Sequence, residues 1–150
     1  VIEIRVATRE DLPAIVGLLA DDDLGSMRED PKIPLHQGYV TAFEAISGDE
    51  NQLLVVADDG GAVVGCLQIT FIPGLSRMGQ WRALFESVRV ARARRSAGIG
   101  RTMIEWAIAE CRARGCGFAQ LTTDKSRTRA HAFYARLGFE ASHEGMKLRL

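Results

Sequence analysis

The segment Arg95-Ser96-Ala97-Gly98-Ile99-Gly100 constrains this chain more than any other. It joins an extended apolar run, residues 84–90, to a long stretch that carries Ile99, Met103, Trp106, Ala107 and Cys111 at helical spacing and stops at Gly115. A strand must therefore turn sharply into a helix. The first N–H groups of such a helix have no partner within it, the helix dipole adds positive potential, and Gly98 and Gly100 keep side chains out of the way, so the turn can cradle phosphate. Each N–H given to a charged oxygen contributes about 1.5–3 kcal/mol. Two glycines also suit an ordinary tight turn, and the rest of the chain has to decide between the two readings.

The surrounding pattern lays out one domain over residues 1–150, long enough to bury a single core. Ile2 to Val6 alternates as a strand, and Thr8 stands at an N-cap position with Asp11 at capping-box spacing, ahead of a helix to about Ala20. Residues 24–35, with Pro31 and Pro34, read as a long loop before a helix over about 37–46. Residues 53–57 and 62–71 read as strands joined through the hairpin turn Asp58-Asp59-Gly60-Gly61. In the strand ahead of the glycine turn, Leu84, Glu86, Val88 and Val90 alternate while Phe85 is apolar on the opposite phase. Burial on two sides or a bulge near Glu86-Ser87 would explain this. Residues 118–123 make a fifth strand, Ala130, Phe133 and Leu137 the inner stripe of another helix, and Met146, Leu148 and Leu150, alternating with Lys147 and Arg149, predict a final strand.

Nineteen basic and nineteen acidic side chains cancel, which argues against nucleic-acid or anionic-membrane binding through bulk charge. Locally the balance differs, because Arg89, Arg92, Arg94, Arg95 and Arg101 gather around the glycine turn and suit a ligand with several phosphates. Cys66, Cys111 and Cys116 show no metal-pair spacing and leave one thiol over under any disulfide scheme, as expected of a cytoplasmic protein. Cys66 falls mid-strand and Cys111 mid-helix, poor places for a nucleophilic thiolate. His36, His131 and His143 lack metal-ligand spacing, so no metal is expected. No apolar run approaches a membrane span, and no charged-then-apolar signal opens the chain. Met103 stands where the dinucleotide fingerprint wants a third glycine, and no Gly-Lys-Ser or Gly-Lys-Thr nucleotide loop occurs.

A second motif, Ala132-Phe133-Tyr134-Ala135-Arg136-Leu137-Gly138-Phe139, ends a helix at Gly138 and returns to extended chain. With R-x-x-G-x-G after a strand, and with the opening Ile4-Arg5-Val6-Ala7-Thr8-Arg9-Glu10-Asp11, it resembles the GNAT superfamily of acyl-CoA-dependent N-acetyltransferases over essentially the whole chain. The resemblance implies an α/β (α+β) GNAT fold. This has a mixed, mostly antiparallel central sheet, helices on both faces, and fourth and fifth strands splayed around the pantetheine arm of acetyl-CoA. It implies transfer of an acetyl group from acetyl-CoA to a primary amine by direct attack on the thioester. A non-catalytic acyl-CoA-binding or sensing module of the same fold is the alternative. The other partner is then an amine-bearing small molecule or peptide, a homodimer is compatible, and neither nucleic acid nor membrane is called for.

That chemistry assigns roles to residues. Arg95, Ser96, Ala97, Gly98, Ile99, Gly100 and Arg101 would hold the pyrophosphate. Backbone groups of Val88, Arg89 and Val90 would pair with the pantetheine amides like an added strand and, by the resemblance, set a main-chain N–H against the thioester oxygen. Tyr134, by the same resemblance, would protonate the departing sulfur. Its plain alternative is a core aromatic beside Phe133, but because Phe133 fills the core stripe its neighbour should face about 100° away. Glu86 is the candidate general base, tuned by partial burial, with an exposed strand carboxylate as the plain alternative. His131 reads as a cofactor contact or as solvated surface. Ser126 and Arg127 replace an asparagine that many members carry, and Arg127 takes its place among the cofactor-binding residues. The acceptor would lie near residues 24–35, Tyr39, Trp81 and Ser142-His143-Glu144-Gly145, with Asp21, Asp22, Asp23, Glu29 and Asp30 available to a cationic amine. Which amine it is cannot be read from the sequence.

Overall fold

The computed structural model describes all residues, 1–150. Its principal elements are β1 (Ile2–Val6), α1 (Leu12–Ala20), α2 (Gln37–Ser47), β2 (Gln52–Asp59), β3 (Ala62–Ile72), β4 (Trp81–Val90), α3 (Ile99–Ala113), β5 (Cys116–Leu121) and α4 (Thr128–Arg136). The strands lie side by side in chain order, antiparallel from β1 to β4 and parallel between β4 and β5. This is the mixed, mostly antiparallel sheet the sequence implies.

The sheet centre is buried on both sides, which is why β2 and β3 read as apolar runs rather than clean alternations. Val55, Leu67, Ile69, Phe71, Ala83 and Phe85 face α3, where Ile104, Ala107 and Cys111 complete one core. Leu54, Val56 and Cys66 face the other way, against Ile15 and Leu18 of α1. Helices therefore cover both faces. The α3 stripe is wider than its sequence reading, because Ile104 is fully buried while Trp106 is only partly so. The hairpin turn forms as read, with Asp59 opposite Ala62 and the Asp58 carboxylate accepting from the Gly61 N–H at 2.7 Å.

The start of α1 is fixed by charge. The Thr8 N–H donates to the Asp11 carboxylate at 2.7 Å, the reciprocal half of a capping box. Arg5 then grips Asp11 through two donors, at 2.8 and 2.9 Å, and reaches Asp58 of β2 at 2.8 Å. Arg5 above all, and the Thr8 N–H after it, hold the buried Asp11 carboxyl below the usual aspartate range despite its burial. A carboxyl whose pKa is lowered by folding stabilises the fold fully above its unfolded value, about 3.9, and loses that contribution as pH falls through the lower folded value. Asp11→Asn should therefore cost about 1–3 kcal/mol in urea unfolding near neutral pH. The gap to wild type should narrow below about pH 4, and a gap that did not change with pH would show that the Arg5 pairing contributes nothing.

The final strand expected over residues 146–150 does not form. Residues after Arg136 enter no sheet pairing, and Met146, Leu148 and Leu150 are 95%, 84% and 111% exposed. Alternation makes a strand only where an edge is available to receive it, and here the segment lies against none. The long loop over residues 24–35 contains one short 3₁₀ turn, Gly25–Met27.

Candidate active site

The sheet parts where the sequence suggested. β4 pairs with β5 from Trp81–Cys116 to Phe85–Leu121, and β4 then continues to Val90 with no strand on that side. At the point of parting the register with β3 steps from Gln68–Glu86 to Cys66–Arg89, and Ser87 adopts a φ of 54°. This is a bulge, and its extra residue brings the Glu86 and Arg89 side chains to the same face, the one covered by α1. Beyond it the Ala91 N–H bonds the Val64 carbonyl at 2.8 Å. By strand alternation Arg89 then turns its main chain toward β3, while Val88 and Val90 turn theirs into the opening. The carbonyls of Val88 and Val90 are accordingly reached there by arginine side chains, Arg89 Nη1 at 3.1 Å and Arg95 Nε at 3.4 Å. Of the three residues singled out for main-chain contacts, Val88 and Val90 present theirs to the cleft.

The opening leads to the N-terminus of α3. Gly98 is the N-cap in a left-handed conformation, φ 83°, with no capping side chain, and the N–H groups of Ile99, Gly100 and Arg101 make no hydrogen bond. The two glycines have different reasons. A Cβ on Gly98 would touch nothing within 4 Å, so its backbone conformation is what requires glycine, whereas one on Gly100 would come within 3.3 Å of the Phe133 ring and 3.6 Å of Val90. Several arginines near the turn have protein partners supplied by the fold: Arg94 holds Asp59 at 2.6 Å, Arg92 holds Asp21 at 3.3 Å, and Arg101 holds Glu105 at 2.7 Å. Ser96, Ala97 and Arg95 complete the turn, with Ser96 also at positive φ, 67°.

Tyr134 is not turned away from the core as the helical geometry suggested. Its ring meets Phe133 edge-on at 5.1 Å and Phe139 at 5.7 Å, and both aromatic residues of α4 pack on the same cluster. A helix laid over the end of a split sheet can pack two adjacent positions on one cluster. Burial pushes the Tyr134 phenol up, against a smaller downward pull from Arg89 and Arg127, so the hydroxyl keeps its proton at neutral pH. Glu86 is exposed, opposite Gln68, and lacks the partial burial expected of it. Beside it runs a polar strip in which Gln68 Nε2 and Thr70 Oγ1 both donate to Gln52 Oε1 at 3.0 Å. His131 is exposed, its Nε2 3.0 Å from the Asp124 carbonyl.

Sequence reasoning missed one feature, an Asp22–Arg89–Arg127 cluster across the top of the cleft. Asp22, at the end of α1, takes the Gly25 N–H at 2.5 Å and Arg127 Nη1 at 2.6 Å, and lies 4.0 Å from Arg89 Nε. Burial alone would raise the Asp22 carboxyl, but the Gly25 and Arg127 hydrogen bonds overcome it and hold the group below its ordinary range. Arg89 Nε is buried without a hydrogen-bond partner. No local pattern could announce this cluster, because its members come from three distant stretches of chain.

The fold and the site together identify the family. The sequence model of the acetyltransferase (GNAT) family matches residues 20–139. The chain belongs to the GNAT acetyltransferase family. As a GNAT protein it is 29% identical over 143 residues to an aminoalkylphosphonate N-acetyltransferase of Salmonella typhimurium, covering 95% of this chain and 88% of that one. A solved structure described as a transcriptional regulator from Bacillus halodurans matches all of both chains with a TM-score of 0.98 and 49% identity. One described as a putative acetyltransferase from Agrobacterium tumefaciens matches 99% of both with a TM-score of 0.85 and 27% identity. In this GNAT chain no group of three metal-binding side chains converges, and no helix is long and apolar enough to cross a membrane. Burial pushes the thiols of Cys66 and Cys111 up to about 12.

Proposed function

We propose that this GNAT protein moves an acetyl group from acetyl-CoA to a primary amine by direct attack of the amine on the thioester. The observation that carries the reading is the run of β4 main chain past Phe85, unpaired on its open side and leading to the bare N–H groups at the start of α3. Val88 and Val90 offer their main chain to the pantetheine amides, and the turn from Arg95 to Arg101 offers N–H groups and a helix dipole to the pyrophosphate. Arg127 borders the same opening from the α4 side. Tyr134, protonated at neutral pH, supplies the proton that the leaving thiolate needs. Glu86 takes the proton from the ammonium, directly or through water. Burial raises all three cysteine thiols, which speaks against transfer through an acyl-cysteine and is compatible with direct attack.

The acceptor reading follows from Arg89. Its Nε is buried without a hydrogen-bond partner, the Asp22 carboxylate lying 4.0 Å away, so the guanidinium is not fully engaged by the protein. Glu86 and Arg89 share one face of β4, so an acceptor with an ammonium at one end and a phosphonate, phosphate or carboxylate at the other would meet both. The aminoalkylphosphonate named for the Salmonella relative has this arrangement. Thiol release should be compared between 2-aminoethylphosphonate, β-alanine and propylamine. The anionic amines should be preferred by roughly 10-fold or more in kcat/KM, and Arg89→Met should erase most of the preference. Glu86→Gln should lower kcat/KM for all three and displace the acidic limb of the pH profile; a raised KM with kcat and limb unchanged would reduce Glu86 to an attractor. The description of the Bacillus relative favours a second reading, an acyl-CoA-sensing module. Tight CoA binding without thiol release for any amine class would establish that one instead.

A further inference from the structure

We infer that Asp22 limits the far end of the acceptor to a single negative charge, so that this chain selects carboxylate and singly ionised phosphonate amines over doubly ionised ones. The inference rests on the anionic-acceptor reading above and concerns what that reading leaves open, the amount of charge on the anion.

The cluster is built around one carboxylate. Asp22 Oδ1 takes the Gly25 N–H at 2.5 Å, and Oδ2 lies 2.6 Å from Arg127 Nη1 and 4.0 Å from Arg89 Nε. This seat requires glycine at position 25, because a Cβ there would collide with the Leu19 carbonyl and stand 2.7 Å from Asp22 Oδ1. The side chains of Arg89, Asp22 and Arg127 are only 14%, 17% and 26% exposed, so solvent screens their charges weakly. Burial works to raise the Asp22 carboxyl, but the Gly25 N–H and Arg127 outweigh it, and the group is ionised at neutral pH. Two guanidinium groups facing one carboxylate leave one positive charge over, and the buried donor left without a partner is Arg89 Nε.

The groups around the cluster do not enlarge that surplus. Arg28 is paired with Glu29 at 3.6 Å, Asp124 is exposed and bonded by Ser126, and Glu86, on the Arg89 face of β4, adds a negative charge. Burial keeps the Tyr134 phenol and the Cys66 thiol neutral. An anion entering such a site gains attraction in proportion to its charge and loses hydration in proportion to the square of it. One surplus positive charge therefore offsets the burial of one negative charge much better than of two. Asp22 also stands close to whatever bonds Arg89 Nε and repels a second charge directly. Without the Asp22 charge the surplus doubles and the hold on Arg127 loosens, which is the arrangement that suits a dianion.

Thiol release at pH 8 should be compared for β-alanine, 2-aminoethylphosphonate, its monomethyl ester and propylamine. The ester keeps the tetrahedral group with one fixed charge, whereas the parent is doubly ionised, since the second ionisation of a phosphate monoester falls at about pH 6. Wild type should favour β-alanine and the ester over the parent phosphonate by about fivefold or more in kcat/KM. The advantage of ester over parent should vanish toward about pH 5.5, where the parent loses its second charge. Asp22→Asn, which keeps an oxygen for the Gly25 N–H, should reverse the order and place the doubly ionised phosphonate ahead. The wild-type comparison needs no variant and stands whatever the substitution does to the fold. A parent phosphonate as good as its ester at pH 8, or the wild-type order of acceptors retained in folded Asp22→Asn, would overturn the inference while leaving the anionic acceptor in place. Failure of every anionic amine to outdo propylamine would instead remove the anion from Arg89, and this inference with it.

Discussion

Tyr134→Phe should lower kcat by about 10²–10⁴-fold while acetyl-CoA affinity changes little. The hydroxyl is the only atom removed, and the ring keeps its edge-on contacts with Phe133 and Phe139, so the helix and the lip it forms stay in place. On the proposed reading, what is lost is the proton offered to the leaving thiolate by a phenol that stays protonated at neutral pH and that burial shifts further up. Single-turnover rates with a saturating amine separate this from product release, and calorimetric CoA titration gives the binding half. Full kcat under conditions where chemistry limits the rate would make Tyr134 a packing residue and would require another proton source.

Gly98→Asp should weaken CoA binding by at least about 100-fold with the fold intact. Two or three N–H hydrogen bonds to phosphate at about 1.5–3 kcal/mol each are placed at risk, and a carboxylate is set where the anion would sit. Left-handed backbone costs a non-glycine residue about 1–2 kcal/mol, less for aspartate or asparagine, and no atom stands within 4 Å of the new Cβ. Gly98→Asn shares the strain without the charge and should bind CoA better than the aspartate variant. Equal affinity in all three proteins would remove the phosphate from this turn. Gly100 would give a less direct test, because a side chain there meets Phe133.

Local patterns carried much of the architecture. The β2–β3 hairpin, the α3 stripe and the bulge at Ser87 could be read because each depends on residues close in sequence. Phe85, out of phase with its neighbours, left a bulge and burial on two sides both open, and the structure has the bulge. What could not be read were pairings made by the fold. The arginines around the glycine turn looked like a reserve of charge for a ligand, yet Asp21 and Asp59 arrive from α1 and β2 to engage Arg92 and Arg94. Asp22 was read as available to a cationic amine, and Arg127 already bonds it. Tyr134 was expected to turn outward on helical geometry alone, and the split sheet gave it something to pack against. The strand expected at residues 146–150 shows the same limit, since a sequence states the propensity of a segment but not the edge that will receive it.

The parting of β4 from β5 also determines how two reactants can meet. Past Phe85 β4 has no strand beside it, so its main chain there is open to a ligand. On the proposed reading the acetyl donor extends along β4 from the start of α3, and the amine comes from the side where Glu86 and Arg89 project. Neither has to pass the other to reach the carbonyl. On that reading either can bind first, and the acetylated amine can leave while the thiol is still held.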